Sequence, residues 1–178
     1  MRFSENLLIA RIVLAVCIAA ALILGGGGAL MDERTAIEAQ FSASAESISA
    51  ELGEMRSNAA VLAAIAGKYD TAKKDFIADL NAAVAALDSA DTPEAKYQAS
   101  LTLDSAVENL YSNLTGLTLG EMDAQDARYA YKNFTSAQLR ISHDGYNERA
   151  AEFNQALAKF PVGLLGMLRG VRPLGLFR

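Results

Sequence analysis

The side chains able to do chemistry in this chain are few, and their spacing withholds most reactions. A single histidine, His143, occurs in 178 residues. A di-iron site in a helical bundle needs a Glu-x-x-His pair on each of two helices. Here one histidine is present, and Arg140 rather than a glutamate lies three residues before it. The single cysteine, Cys17, lies inside an apolar run, so no intrachain disulfide can form and neither thiol nor zinc chemistry has its ligands. Gly25 to Gly28 sit in the same run and follow no strand, which excludes a phosphate-cradling loop. No nucleophile elbow or dinucleotide fingerprint occurs. The acids are spread along helix faces and read as a solvated exterior. No catalytic residue, cofactor or metal is assigned, and the chain reads as a non-enzyme.

One polar pattern stands out. Tyr146 and Phe153 are seven residues apart, and Asn147 and Asn154 repeat that spacing one position round the helix. The aromatics belong to an inward seam. Two stacked amides beside it can bond the backbone of a returning tail, whose glycines leave peptide groups without helical partners. A ligand contact is the alternative.

The elements that hold these residues follow from hydropathy. Ile12 to Met31 is uncharged, about the 20 residues a helix needs to cross a hydrocarbon core of about 30 Å. Snorkelling by Arg11 extends the expected span to about residues 7–31. Arg2 and Arg11 precede the run and Asp32 and Glu33 follow it, which predicts a cytoplasmic N-terminus and a translocated body. A cleaved signal peptide is the competing reading: Ile12 to Leu24 has the length of its apolar region, and Gly27 and Ala29 would be its small pair. Leu30 and Met31 prolong the run and favour an uncleaved anchor. Lipidation of Cys17 is disfavoured by Val16 before it and by the apolar residues after it. Cys17, Ala21, Gly25 and Ala29 recur every four residues, a small-residue ridge on which two membrane helices could pack. Ordinary composition with a glycine hinge at Gly25 to Gly28 is the plainer alternative.

The net charge of -5 is unevenly placed. Arg2 and Arg11 face Glu5 in the first 31 residues, and Arg169, Arg172 and Arg178 face no acid from Pro161 onward. The body between is strongly acidic and would repel nucleic acid. Its apolar positions recur in steps of three and four. Ile37, Phe41, Ala45, Ile48, Leu52 and Met55 predict a first helix that ends near Gly53 or Ser57-Asn58. Leu62 to Leu87 predict a second, which Gly67 weakens without stopping. Thr92-Pro93-Glu94 opens a third, to about Leu114, with cap, proline and acid in their preferred places. Gly116 and Gly120 bracket a short connection. A fourth helix, Glu121 to about Lys159, carries Met122, Tyr129, Tyr131, Phe134 and Ile141, then a seam of Tyr146, Ala150, Phe153, Leu157 and Phe160, and Pro161 ends it. The expected protein is all-α: an N-terminal transmembrane helix (1–31), an antiparallel up-down four-helix bundle with long helices (32–160), and an apolar, basic C-terminal tail (161–178) that straps the bundle or lies on a membrane.

The residues Tyr146-Asn147, Phe153-Asn154 and Phe160-Pro161, with an apolar glycine-containing tail to Phe177, resemble the C-terminal signature of the LemA family. Upstream, Leu52, Arg56-Ser57-Asn58, Leu62 and Tyr69 sit where that family has a basic stretch followed by Pro-Asn; here one arginine remains and Ala59-Ala60 replaces the Pro-Asn. The resemblance implies a bacterial single-pass membrane protein with a helical bundle outside the cell membrane. It implies a scaffold or accessory role in the envelope, with members sometimes encoded beside a membrane metalloprotease, and no defined activity. Partners are then the lipid bilayer and an envelope protein or a second copy. An extracytoplasmic sensor or binding module for a small molecule or peptide is the alternative. A sealed interior around Phe76, Phe134, Tyr146 and Phe153 would favour the scaffold, and an open pocket with convergent polar groups the sensor.

Overall fold

A computed structural model describes residues 2–43 and 47–178, without the side chains of 2–10, 18–20 and 22–24. It is all-α, with no strand among the described residues. The helices are α1 (Arg2–Ser42), α2 (Ile48–Ala66), α3 (Lys74–Ser89), α4 (Pro93–Thr115), α5 (Glu121–Ser142), α6 (Tyr146–Leu157) and α7 (Val162–Arg169). α1 carries the apolar run without a break, so Gly25 to Gly28 form helix rather than a hinge. Among the described residues, no helix is long and apolar enough to cross a membrane. Part of the predicted span, the side chains of 7–10, 18–20 and 22–24, lies outside those residues, as do the side chain of Arg2 and the whole of Ala45.

Three of the four expected long helices are shorter. The stripe from Ile37 to Met55 keeps its phase, yet the helix breaks after Ser42. Buried Ser47 opens α2 by accepting the Ala50 N–H at 3.2 Å, and Gly53 and Ser57-Asn58 lie within that helix. The second expected helix divides at Gly67, which caps α2 and sends its N–H to the Ala63 carbonyl at 2.9 Å. The fourth divides at His143 to Gly145, where Asp144 takes the Tyr146 N–H at 2.7 Å. In each case a local cap outcompetes an unbroken apolar period. α4 opens on Thr92, whose hydroxyl accepts the Ala95 N–H at 3.2 Å with Pro93 in the first turn.

The chain divides into two compact units, Met1–Glu38 with Glu148–Leu174 and Ala39–Asn147 with Gly175–Arg178. In the second unit α2 packs chiefly on α5 and α3 on α4, with α2 also meeting α3 and α4, and α4 meeting α5. The α5 face that enters this core is Ala127, Ala130, Phe134 and Ala137. Met122 and Tyr129, two of the apolar positions read in the expected fourth helix, are 78% and 56% exposed. Alanines allow backbones to approach closely, so the seam is built of small residues around the one large ring of Phe134, and Met122 and Tyr129 are left outside. Arg140 ties α5 to α2 through Glu51 at 2.7 and 2.6 Å and Glu54 at 2.5 Å. Tyr69 accepts the Gly120 N–H at 2.9 Å and donates to Asp123 at 2.7 Å, which fixes the start of α5.

In the first unit Ala150 and Phe153 of α6 are buried, as are Ile37, Val171 and Leu174. Arg34 pairs with Glu38 at 2.8 Å and donates to the Arg172 carbonyl at 3.1 Å. Gly170 ends α7 at φ +69°, the left-handed turn that glycine adopts without strain.

Candidate functional site

The tail is held by side chains that match peptide groups two at a time. In the second unit, Asn147 donates to the Phe177 carbonyl and accepts the Phe177 N–H, both at 2.7 Å. Tyr146, fully buried, donates its hydroxyl to the Gly175 carbonyl at 2.7 Å. These bonds seat Phe177 in an aromatic cluster, with ring centroids 6.1 Å from Phe41 and 5.3 Å, edge-on, from Tyr97. Phe41 lies 5.0 Å from Tyr146. In the first unit, Asn154 donates to the Leu174 carbonyl at 2.9 Å and accepts its N–H at 2.8 Å. A carboxamide presents an acceptor and a donor side by side, so it can satisfy both groups of one tail residue. Each amide thus bonds both backbone groups of one tail residue. Of the other signature residues, Phe153 is buried, whereas Phe160 is 85% exposed and Pro161 is exposed. The seam stops short of Phe160 because α6 ends at Leu157.

The second unit also contains a pocket of about 220 Å³, lined among others by Tyr97, Ser100, Asp104, Gln138, Asn147 and Phe177. Asp104 is its one strongly perturbed group. Its Oδ2 accepts the Gln138 amide at 2.6 Å, while its buried Oδ1 has no hydrogen-bond partner among the described residues. Burial pushes the Asp104 carboxyl up to about 6, against the lowering effect of the Gln138 bond and with a small contribution from Glu108. No Lys or Arg among the described residues lines the recess. It can receive a small cation or a hydrogen-bond donor, and near pH 6 its acid exchanges an acceptor for a donor. No motif marks Asp104 in the sequence. Its signal is a carboxylate on the edge of the stripe formed by Leu103, Val107 and Leu110.

On α1 the predicted ridge of Cys17, Ala21, Gly25 and Ala29 is exposed along its length, and a Cβ on Gly25 would meet nothing within 4 Å. The neighbouring glycines take the contact instead. Leu165 of α7 lies 3.1 Å from where a Gly26 Cβ would be, and a Gly27 Cβ would collide with the aliphatic stem of Arg169. These glycines let α7 approach the α1 backbone, a role within the chain.

His143 closes α5, and its Nδ1–H donates to the Leu139 carbonyl at 2.8 Å. Among the described residues, no group of three His, Cys, Asp or Glu side chains could hold a metal ion. No family model, no curated protein and no solved structure matches this chain.

Proposed function

We propose that this chain is a membrane-anchored, non-enzymatic interaction module of the bacterial cell envelope, similar to the LemA family. In this reading α1 is the anchor, with its N-terminus cytoplasmic. Helices α2 to α5 form an antiparallel up-down four-helix bundle on the outer side, which contacts an envelope protein or a second copy. The observation that carries it is α1: one 41-residue helix contains the uncharged run Ile12 to Met31, and Ile12, Val13, Leu14 and Val16 are all more than half exposed. A soluble chain rarely leaves such a contiguous apolar surface in water. The acids at Asp32 and Glu33 and the basic Arg2 and Arg11 support the orientation. A periplasmic reporter fused after Arg178 should be active, and a cytoplasmic reporter at the same place inactive. The reverse pattern, or a chain extracted from membranes by alkaline carbonate, would sink the reading.

A second reading, a binding module for a small molecule, is favoured by the Asp104 pocket. Fragment screening by NMR on the full chain should then give hits with cationic or donor-rich groups that are lost in Asp104→Asn. Hits that persist in the variant would remove this reading.

A further inference from the structure

We infer that α7 is an interfacial helix that lies in the headgroup region of an anionic bilayer beside the anchor, an inference that rests on the reading of α1 as a membrane anchor. α7 has two apolar faces. Leu165 and the stem of Arg169 point at Gly26 and Gly27 of α1. Leu164, Met167 and Leu168, spaced as i, i+3 and i+4, form another face and are 49%, 77% and 56% exposed. An outward apolar stripe on a helix already packed on one side needs a second cover.

The depth of the contact on α1 says which cover fits. Gly27 lies five residues before Asp32, the first charge after the apolar run. At about 1.5 Å per residue that is about 7.5 Å into the apolar segment, within the 5–10 Å at which interfacial helices bury their apolar faces. Charge agrees with depth. Arg169 is the only charged residue of α7, so nothing acidic on the helix opposes an anionic surface. The strap that follows takes a different cover, since Val171 and Leu174 are buried in protein. The tail therefore divides at Gly170: α7 faces lipid and the extended segment after it faces the protein.

The chain contains no tryptophan, so one introduced at an exposed site reports alone. Three full-length variants, Leu14→Trp, Met167→Trp and Met122→Trp, would be reconstituted in phosphatidylcholine vesicles containing phosphatidylglycerol, with and without brominated acyl chains. Bromine quenching of Leu14→Trp and Met167→Trp by at least two-fold is expected, with blue-shifted emission, and none for Met122→Trp on α5. Removing phosphatidylglycerol should weaken quenching at Met167→Trp and leave Leu14→Trp unchanged. If Leu14→Trp is quenched and Met167→Trp is not, the anchor stands and the interfacial helix falls, its apolar face being covered by protein or exposed. If neither is quenched, the anchor falls and the inference with it. Quenching at Met167→Trp that ignores phosphatidylglycerol overturns the anionic assignment.

Discussion

Replacing Asn147 tests whether the tail is held by its backbone or only by the burial of Phe177. Asn147→Ala removes both partners of Phe177 and leaves a half-buried N–H and C=O without hydrogen bonds. Each unsatisfied group costs about 1–3 kcal/mol, and partial access to water places the pair at roughly 2–4 kcal/mol. That is a large share of the stability of a small domain, about 5–15 kcal/mol in all. Asn147→Asp separates the two bonds. An ionised aspartate still accepts the Phe177 N–H but sets a negative oxygen against the Phe177 carbonyl. Once protonated it can donate again, so acid should restore what the substitution removes. Asn147→Asp is therefore expected to be destabilised at pH 7 and to recover as pH falls toward the carboxylate range, whereas Asn147→Ala should stay destabilised throughout. Denaturation of the full chain in detergent, followed by near-ultraviolet circular dichroism of the Phe41, Tyr97, Tyr146 and Phe177 cluster, reads both effects. A loss below about 0.5 kcal/mol for Asn147→Ala, or no recovery of Asn147→Asp in acid, would show that the paired bonds do not hold the tail.

Phe153→Ala should cost about 3–5 kcal/mol, because the ring is buried. Asp104→Asn should stabilise the chain at pH 7 by about 1–2 kcal/mol, a figure reduced for the solvent that reaches this half-buried group. The folded carboxyl titrates near 6 and the unfolded one near 3.8, so the native state holds the extra proton between those values and stability falls as pH rises through that window. The variant should lose that slope, and parallel pH profiles would refute the assignment. Gly27→Val should push Arg169 off α1 and speed trypsin cleavage after Arg169, whereas Gly25→Ala should change nothing; equal effects would mean that α7 does not dock on these glycines.

Much of the fold was legible because single residues announced it. Thr92-Pro93-Glu94 opens α4, Gly116 and Gly120 flank the next connection, and the Asn147 and Asn154 spacing pointed at the tail backbone. What was hidden has physical reasons. The stripe through Phe41 and Ile48 keeps its period across a break, so periodicity alone cannot reveal the Ser47 cap. Ala127, Ala130 and Ala137 carry little hydropathy signal, yet their small size makes them the packing face of α5. Asp104 looked like one more surface acid, and only the packing of α2, α4 and α5 with Phe177 shows it half enclosed. The contact of α7 with Gly26 and Gly27 joins residues far apart in the chain, and local pattern does not encode it.

The seating of Phe177 has a consequence for the order in which the molecule can be made. Synthesis delivers Phe41 and Tyr97 long before the residue that covers them, while α3 and α4 are neighbours in sequence and can pair early. A nascent chain that has reached α7 already contains every helix of the second unit and still lacks the aromatic plug of its core. Until Phe177 emerges, that unit presents an open, sticky face to chaperones and proteases. Closure of the core therefore waits for Phe177, and a chain cut before that residue would hold the helices of the second unit with the cluster of Phe41 and Tyr97 uncovered.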